Sequence, residues 1–132
     1  MRAMVLDRPA PISSSPLALR ETAEPEPGPG EVRVRVRACG ICRTDLHVIE
    51  GDLPAKRLPL IPGHQVVGIV DRAGPGAKRF RVGDRIGIAW LRHACGKCAY
   101  CLAGKENLCE SSLYTGYHAD GGYAECAVVP EA

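Results

Sequence analysis

A mainly β, loop-rich fold in a single domain is predicted by three features of the 132-residue sequence. Glycine, with 15 residues, and proline, with 11, together make about a fifth of the chain, so turns must be frequent. Aromatic residues are few, at one Trp, four Tyr and one Phe, which disfavours a helix bundle. From Glu31 to Ala38 the chain alternates strictly, with Val32, Val34 and Val36 on one face and Arg33, Arg35 and Arg37 on the other, the period-two pattern of a half-buried strand. The arginines are expected on a solvated face. A chain of this length buries roughly two-thirds of the surface it exposes when unfolded, so it does not depend on covalent staples.

The other elements follow in order. Residues 24–30 (Glu-Pro-Glu-Pro-Gly-Pro-Gly) form a stiff, turn-rich connector between strands. After Gly40, the run from Thr44 to Ile49 predicts a short helix capped by Thr44 or Asp45, whose side-chain oxygens accept first-turn N–H groups. Cys42 then stands just before the helix N-terminus. Residues 65–71 read as a buried strand and 84–90 as another, with Gly74-Pro75-Gly76 and Val82-Gly83-Asp84 as turns. The segment from Cys95 to Cys109 is too rich in Cys and Gly for an ordinary strand pair and is expected as a lobe inserted over about 91–113. Gly121-Gly122 leads into a last strand over 123–129.

Charge and hydropathy narrow the function classes. With 17 Lys and Arg against 15 Asp and Glu the net charge is +2, and no strong field points to nucleic acid. No apolar run approaches the roughly 20 residues of a membrane span, and Asp7, Arg8 and Pro9 interrupt the only N-terminal candidate for a signal segment. The expected location is cytoplasmic. There the seven cysteines, odd in number and mostly clustered, argue for metal thiolates rather than disulfides.

Cys95, Cys98, Cys101 and Cys109 follow C-x2-C-x2-C-x7-C, a spacing that suits four thiolates around tetrahedral zinc. Such a closed site has no open coordination position, so its role is structural, tying together a loop without a core. Cys42 and His64 make a softer pair, because ligands this far apart have no diagnostic spacing. His64 lies in Ile61-Pro62-Gly63-His64, where Pro and Gly fix a turn before a strand, and Cys42 at a helix start is favoured as thiolate by the helix dipole. A plain turn histidine and a plain buried cysteine are the competing readings. Cys126, His93 and His118 are expected in structural or solvent roles, and Cys39 as a small buried residue at a strand end. Cys39 and Cys42 form C-x-x-C, but no βαβ pattern surrounds them to support a redox pair.

The ordered set Cys39-Gly40-Ile41-Cys42-Arg43-Thr44-Asp45-Leu46-His47, Pro62-Gly63-His64, Val82-Gly83-Asp84-Arg85, the four-cysteine lobe and Asp120-Gly121-Gly122-Tyr123-Ala124-Glu125 resembles the zinc-dependent alcohol dehydrogenases of the medium-chain dehydrogenase/reductase family. Within it the chain is most similar to the bacterial cinnamyl-alcohol-dehydrogenase-like branch. The resemblance spans nearly all 132 residues and implies a GroES-like, partly open β-barrel with short helices and an inserted zinc lobe. It also implies Cys42 and His64 as catalytic-zinc ligands, with the family's third ligand, a Cys beyond the last strand, not among these residues. Thr44 matches the hydroxyl that binds the alcohol, His47 the distal end of a proton relay, Asp45 a carboxylate near the metal and Arg43 a contact to the cofactor pyrophosphate. Trp90 matches a wall of the substrate pocket, with Ile49 and Leu53 as neighbours; a sole Trp is equally a good core residue. Gln65 departs from the Glu that many members carry after the ligating His.

No G-x-G-x-x-G follows a strand, so the dinucleotide-binding domain of an NAD- or NADP-dependent enzyme is expected to be missing here. The resemblance implies reversible alcohol and aldehyde oxidoreduction, with a zinc Lewis acid and a proton exit by Thr44, the cofactor ribose and His47. These 132 residues alone are expected to be inactive. A non-catalytic zinc module binding a protein or nucleic acid is the rival reading; the near-neutral charge, the scarcity of aromatics and the presence of Thr44 and His47 weigh against it. A chaperonin-like co-factor has no need of four clustered thiolates. Association through an exposed terminal strand is open.

Overall fold

The computed structural model describes residues 1–131. Ten regular elements follow one another: β1 (Arg2–Leu6), β2 (Leu17–Glu21), β3 (Glu31–Gly40), α1 (Arg43–Glu50), β4 (Gln65–Ala73), β5 (Arg85–Ile88), β6 (Leu91–His93), α2 (Ala99–Leu102), β7 (Leu113–Tyr114) and β8 (Cys126–Pro130). Single 3-10 turns occur at Ile12–Ser14 and Glu106–Leu108. The main sheet is antiparallel in the order β5-β4-β3-β8, and β1-β2 and β6-β7 form two small separate pairs. The fold is thus mainly β with short helices, without a closed barrel. No helix among the described residues is long and apolar enough to cross a membrane.

The valine face of β3 lies where its periodicity puts it. Val32, Val34, Val66, Val70, Ile86, Ile88 and Ala127 form the buried core, with Val36, Cys39, Phe80 and Val129 packed against its rim. The arginine face differs from expectation. Arg35 and Arg37 are exposed, but Arg33 is 6% exposed. Two features bury it. A register shift at Arg33/Val34 breaks the simple alternation. The Pro-rich connector also folds back over this face, bringing Glu24 to 3.1 Å from Arg33, which pairs with Asp71 of the neighbouring strand at 2.9 Å. Burial alone pushes the Asp71 carboxyl up, but the hydrogen bonds and charges of Arg33 and Arg35 outweigh it and hold the group below its ordinary value.

Boundaries also differ: β4 runs on to Ala73 and β5 covers only Arg85–Ile88, leaving Trp90 outside it. Neither β1 nor β2 stands out in the sequence, yet they pair over Arg2–Leu6 and Leu17–Glu21, and β1 is anchored by isolated bridges Ala3 to Ala124 and Leu6 to Leu60. The last strand starts at Cys126, because Tyr123 and Ala124 pair with β1 instead: the Met4 N–H donates to the Tyr123 carbonyl at 2.8 Å. Helix α1 begins at Arg43 with Cys42 as its N-cap, so neither Thr44 nor Asp45 occupies the cap. Asp45 is the third helical residue and reaches back to accept the Cys42 N–H at 2.9 Å, as the acidic member of a capping box does.

Candidate metal centres

The first centre is assembled where α1 meets the turn before β4. Asp45 is fully buried and its carboxylate takes two bonds: Oδ2 accepts the Cys42 N–H, and Oδ1 lies 3.0 Å from His64 Nδ1. That contact places the His64 proton on Nδ1, so the Nε2 lone pair faces Cys42 Sγ at 3.2 Å and accepts its S–H. Cys42, Asp45 and His64 thus offer donor atoms within 4.8 Å of one another. A thiolate and an imidazole nitrogen that share tetrahedral zinc lie roughly 3.5 Å apart at the usual bond lengths, so the pair fits that ion after a small opening. Asp45 stands behind the imidazole, as carboxylates do in carboxylate–histidine–zinc arrangements.

The turn that presents His64 is clamped by the segment before β8. The N–H groups of Gly121, Gly122 and Tyr123 donate to the carbonyls of Ile61, Gly63 and Pro62 at 2.7–3.0 Å, and Asp120 Oδ1 accepts the Ile61 N–H at 3.0 Å. Gly63 has φ +95°, and a Cβ there would stand 2.6 Å from the Tyr123 ring. Glycine is required on both counts. Burial first, and then the charge of Asp45, push the Tyr123 phenol above its ordinary value.

The second centre lies between β6 and β7. The sulfurs of Cys95, Cys98, Cys101 and Cys109 gather within 4.8 Å of one another, compatible with the sulfur separations of about 3.8 Å in a tetrahedral four-thiolate zinc site. Backbone N–H groups point at them: Cys95 donates to Cys109 Sγ and Cys98 to Cys95 Sγ, both at 3.3 Å. Such donors from Lys97 and Cys98 pull the Cys95 thiol down to about 6, whereas burial and the neighbouring sulfurs push Cys101 up to about 12. Negative charge crowded onto few sulfurs is what a divalent cation neutralises.

The remaining candidates fall around the first centre unevenly. Thr44 and His47, one turn apart on α1, share a helix face. Arg43 is exposed at the start of the helix. Trp90 sets its ring edge-on to His64 with centroids 4.8 Å apart, stacks on Tyr114 at 4.7 Å and joins Leu53, Val48, Leu60 and Tyr117 in one apolar cluster. Ile49 is buried on α1 but does not belong to that cluster, and its backbone carbonyl accepts the Ala10 N–H at 3.1 Å. An open depression is lined by His64, Gln65, Val67, Ile88 and Trp90. Another cavity, lined by Glu31, Arg92 and Cys126 among others, touches none of Cys42, Asp45 and His64. Sequence reasoning missed Tyr114, Tyr117 and Tyr123 around the first centre. The Tyr-Thr-Gly-Tyr run over 114–117 carried a signal, since two tyrosines this close together in so aromatic-poor a sequence suit an apolar cluster.

Residues 28–132 match the family described as the alcohol dehydrogenase GroES-like domain. The chain is 56% identical to a probable alcohol dehydrogenase, AdhA, of Mycobacterium tuberculosis over 137 aligned positions that cover all of this chain and 40% of that protein. It is 51% identical to an alcohol dehydrogenase of Geobacillus stearothermophilus, over 83% of this chain and 33% of that one. Among solved structures, a cobalt- and zinc-bound thermostable alcohol dehydrogenase from Pyrobaculum aerophilum superposes with a TM-score of 0.91 at 39% identity, over 99% of this chain and 39% of that one. The chain spans well under half the length of these relatives. With the family match over most of its length and a zinc-bound relative of the same fold, the chain belongs to the alcohol dehydrogenase GroES-like domain family.

Proposed function

We propose that the chain is the zinc-holding, proton-handling part of an NAD- or NADP-dependent alcohol dehydrogenase that interconverts an alcohol and its aldehyde. The observation that carries this reading is the continuous hydrogen-bonded unit of Cys42, Asp45 and His64, beside which Thr44 and His47 stand on one face of α1. When bound there, zinc supplies Lewis acidity toward an alcohol or aldehyde oxygen. Cys42 and His64 would hold it, with Asp45 fixing the imidazole so that Nε2 faces the ion. Thr44 Oγ1 offers a hydroxyl that accepts the alcohol proton in a hydrogen bond, and His47 offers an imidazole nitrogen that can accept a proton. Trp90 gives the site an apolar wall suited to the hydrocarbon part of a substrate. The four-cysteine lobe would hold a second, structural zinc. These residues contain no glycine-rich phosphate turn, so the 132-residue chain by itself is expected to reduce neither NAD nor NADP when given an alcohol.

Metal content of the purified chain, after dialysis against zinc, tests the reading. About two zinc ions per chain are expected, falling to about one in Cys42→Ser and in His64→Ala. About one ion in all three proteins would refute zinc binding by Cys42 and His64 within these 132 residues.

A further inference from the structure

The end of α1 holds a second His–carboxylate contact, separate from the pair at His64. His47 lies in the last turn, and its Nδ1 is 2.7 Å from Asp52 Oδ2. The backbone builds this contact. Gly51, at φ +89°, ends the helix in the left-handed conformation, and the N–H groups of Gly51 and Leu53 both donate to the His47 carbonyl, at 3.1 and 3.2 Å. This double closure folds residues 51–53 back over His47, so the carboxylate meets the imidazole without long side chains having to be ordered. The other charged group near the end of α1, Glu50, is engaged elsewhere, accepting the Ile12 N–H at 3.0 Å.

We propose that Asp52 is a positioning residue for His47: it holds the imidazole proton on Nδ1 and thereby presets Nε2 as the proton-accepting atom. The inference rests on the proposed role of His47 in proton handling. A neutral imidazole carries one proton, and the nitrogen that keeps it is set by the partner of the other. With Nδ1–H donated to Asp52, only Nε2 presents a lone pair. When the alcohol O–H bond breaks, the proton then comes to rest on Nε2, giving an imidazolium whose Nδ1–H stays bonded to the carboxylate; the same Nε2–H later returns its proton to water. Asp52 takes no proton in the cycle. It orients the ring and keeps its bond to Nδ1–H throughout.

The test is the tautomer itself. Long-range nitrogen–proton spectra of the chain labelled in its histidine rings, recorded where His47 is neutral, should show protonated Nδ1 and bare Nε2. Asp52→Ala should shift the tautomer ratio toward Nε2–H by about fivefold, the upper end for an exposed charge pair, and Asp52→Glu should restore part of it. His64, held by Asp45, serves as an internal reference and should not change. A wild-type His47 protonated on Nε2, or a ratio untouched by Asp52→Ala in a protein whose His64 signals are native, would overturn the proposal. Zinc content separates the two readings. Loss of the Cys42 and His64 site with the His47 tautomer as expected would sink the dehydrogenase reading alone, and the reverse would sink only the role of Asp52.

Discussion

Replacing Asp45 by Asn tests whether the first centre is held as one unit. The carboxylate accepts two bonds, from the Cys42 N–H at 2.9 Å and from His64 Nδ1 at 3.0 Å, at 2% exposure. An amide of the same shape has one acceptor oxygen. Whichever way it turns, its NH2 group faces either the Cys42 N–H, leaving that donor unmatched, or His64 Nδ1, which is left with an unmatched N–H for as long as the ring keeps the tautomer that aims the Nε2 lone pair at Cys42. That costs about 1–3 kcal/mol, against roughly 5–15 kcal/mol for a whole domain. A loss near 2 kcal/mol lowers the melting temperature of a domain this size by about 8 °C, which urea denaturation and thermal melting both read. Zinc retention at Cys42 and His64 against a chelator should fall by about 10–100-fold, the usual effect of losing a carboxylate behind a ligating histidine. The four-cysteine lobe, which Asp45 does not touch, is the internal control and should hold its metal as before. Melting unchanged within about 1 °C, or equal loss of metal from both centres, would refute the two-acceptor argument.

Three further outcomes are expected. Gly63→Ala forces a Cβ into the Tyr123 ring at positive φ and should cost about 2–5 kcal/mol in urea, from left-handed strain and overpacking together. Cys109→Ser should release the lobe metal, and hydrogen exchange should then rise across residues 94–112 while amides of β3 and β4 stay protected. Asp71 gives the sign of an acid limb: its folded value lies below the unfolded one, so its contribution is complete above the ordinary carboxylate range and is lost as pH falls through the folded value. Stability measured against pH should therefore decline less steeply on the acid side in Asp71→Asn.

What the sequence could show was whatever local pattern encodes. The alternation of β3 located the core valines, and the C-x2-C-x2-C spacing located the lobe cysteines, because both patterns are set by neighbours along the chain. Arg33 failed the same test. Its burial depends on Glu24 and Asp71, which come to it from a connector and a different strand, and on a bulge that no residue type announces. Asp45 was legible as a carboxylate near a helix start, but its place at the third helical position required knowing that Cys42 is the cap. The strand β1 was hidden for a similar reason. Five residues with a single turn signal after them become a strand only because Leu17–Glu21 and the Tyr123 region supply partners.

The clamp on the His64 turn bears on the order in which the protein can be made. The backbone groups of residues 61–63 take their partners from Asp120 to Tyr123, nearly sixty positions later, and β1 takes one of its own from the same stretch. During synthesis from the N-terminus, the turn that aims the imidazole at Cys42 must therefore wait, its carbonyls bonded to water, until the chain has emerged past Tyr123. Closing a loop of that length costs chain entropy that only the completed clamp offsets. Cys42, already in place at the helix start, spends this interval without its imidazole partner. The pairing of His64 with Cys42 is thus complete only once residue 123 has left the ribosome, and the clamp sets that moment.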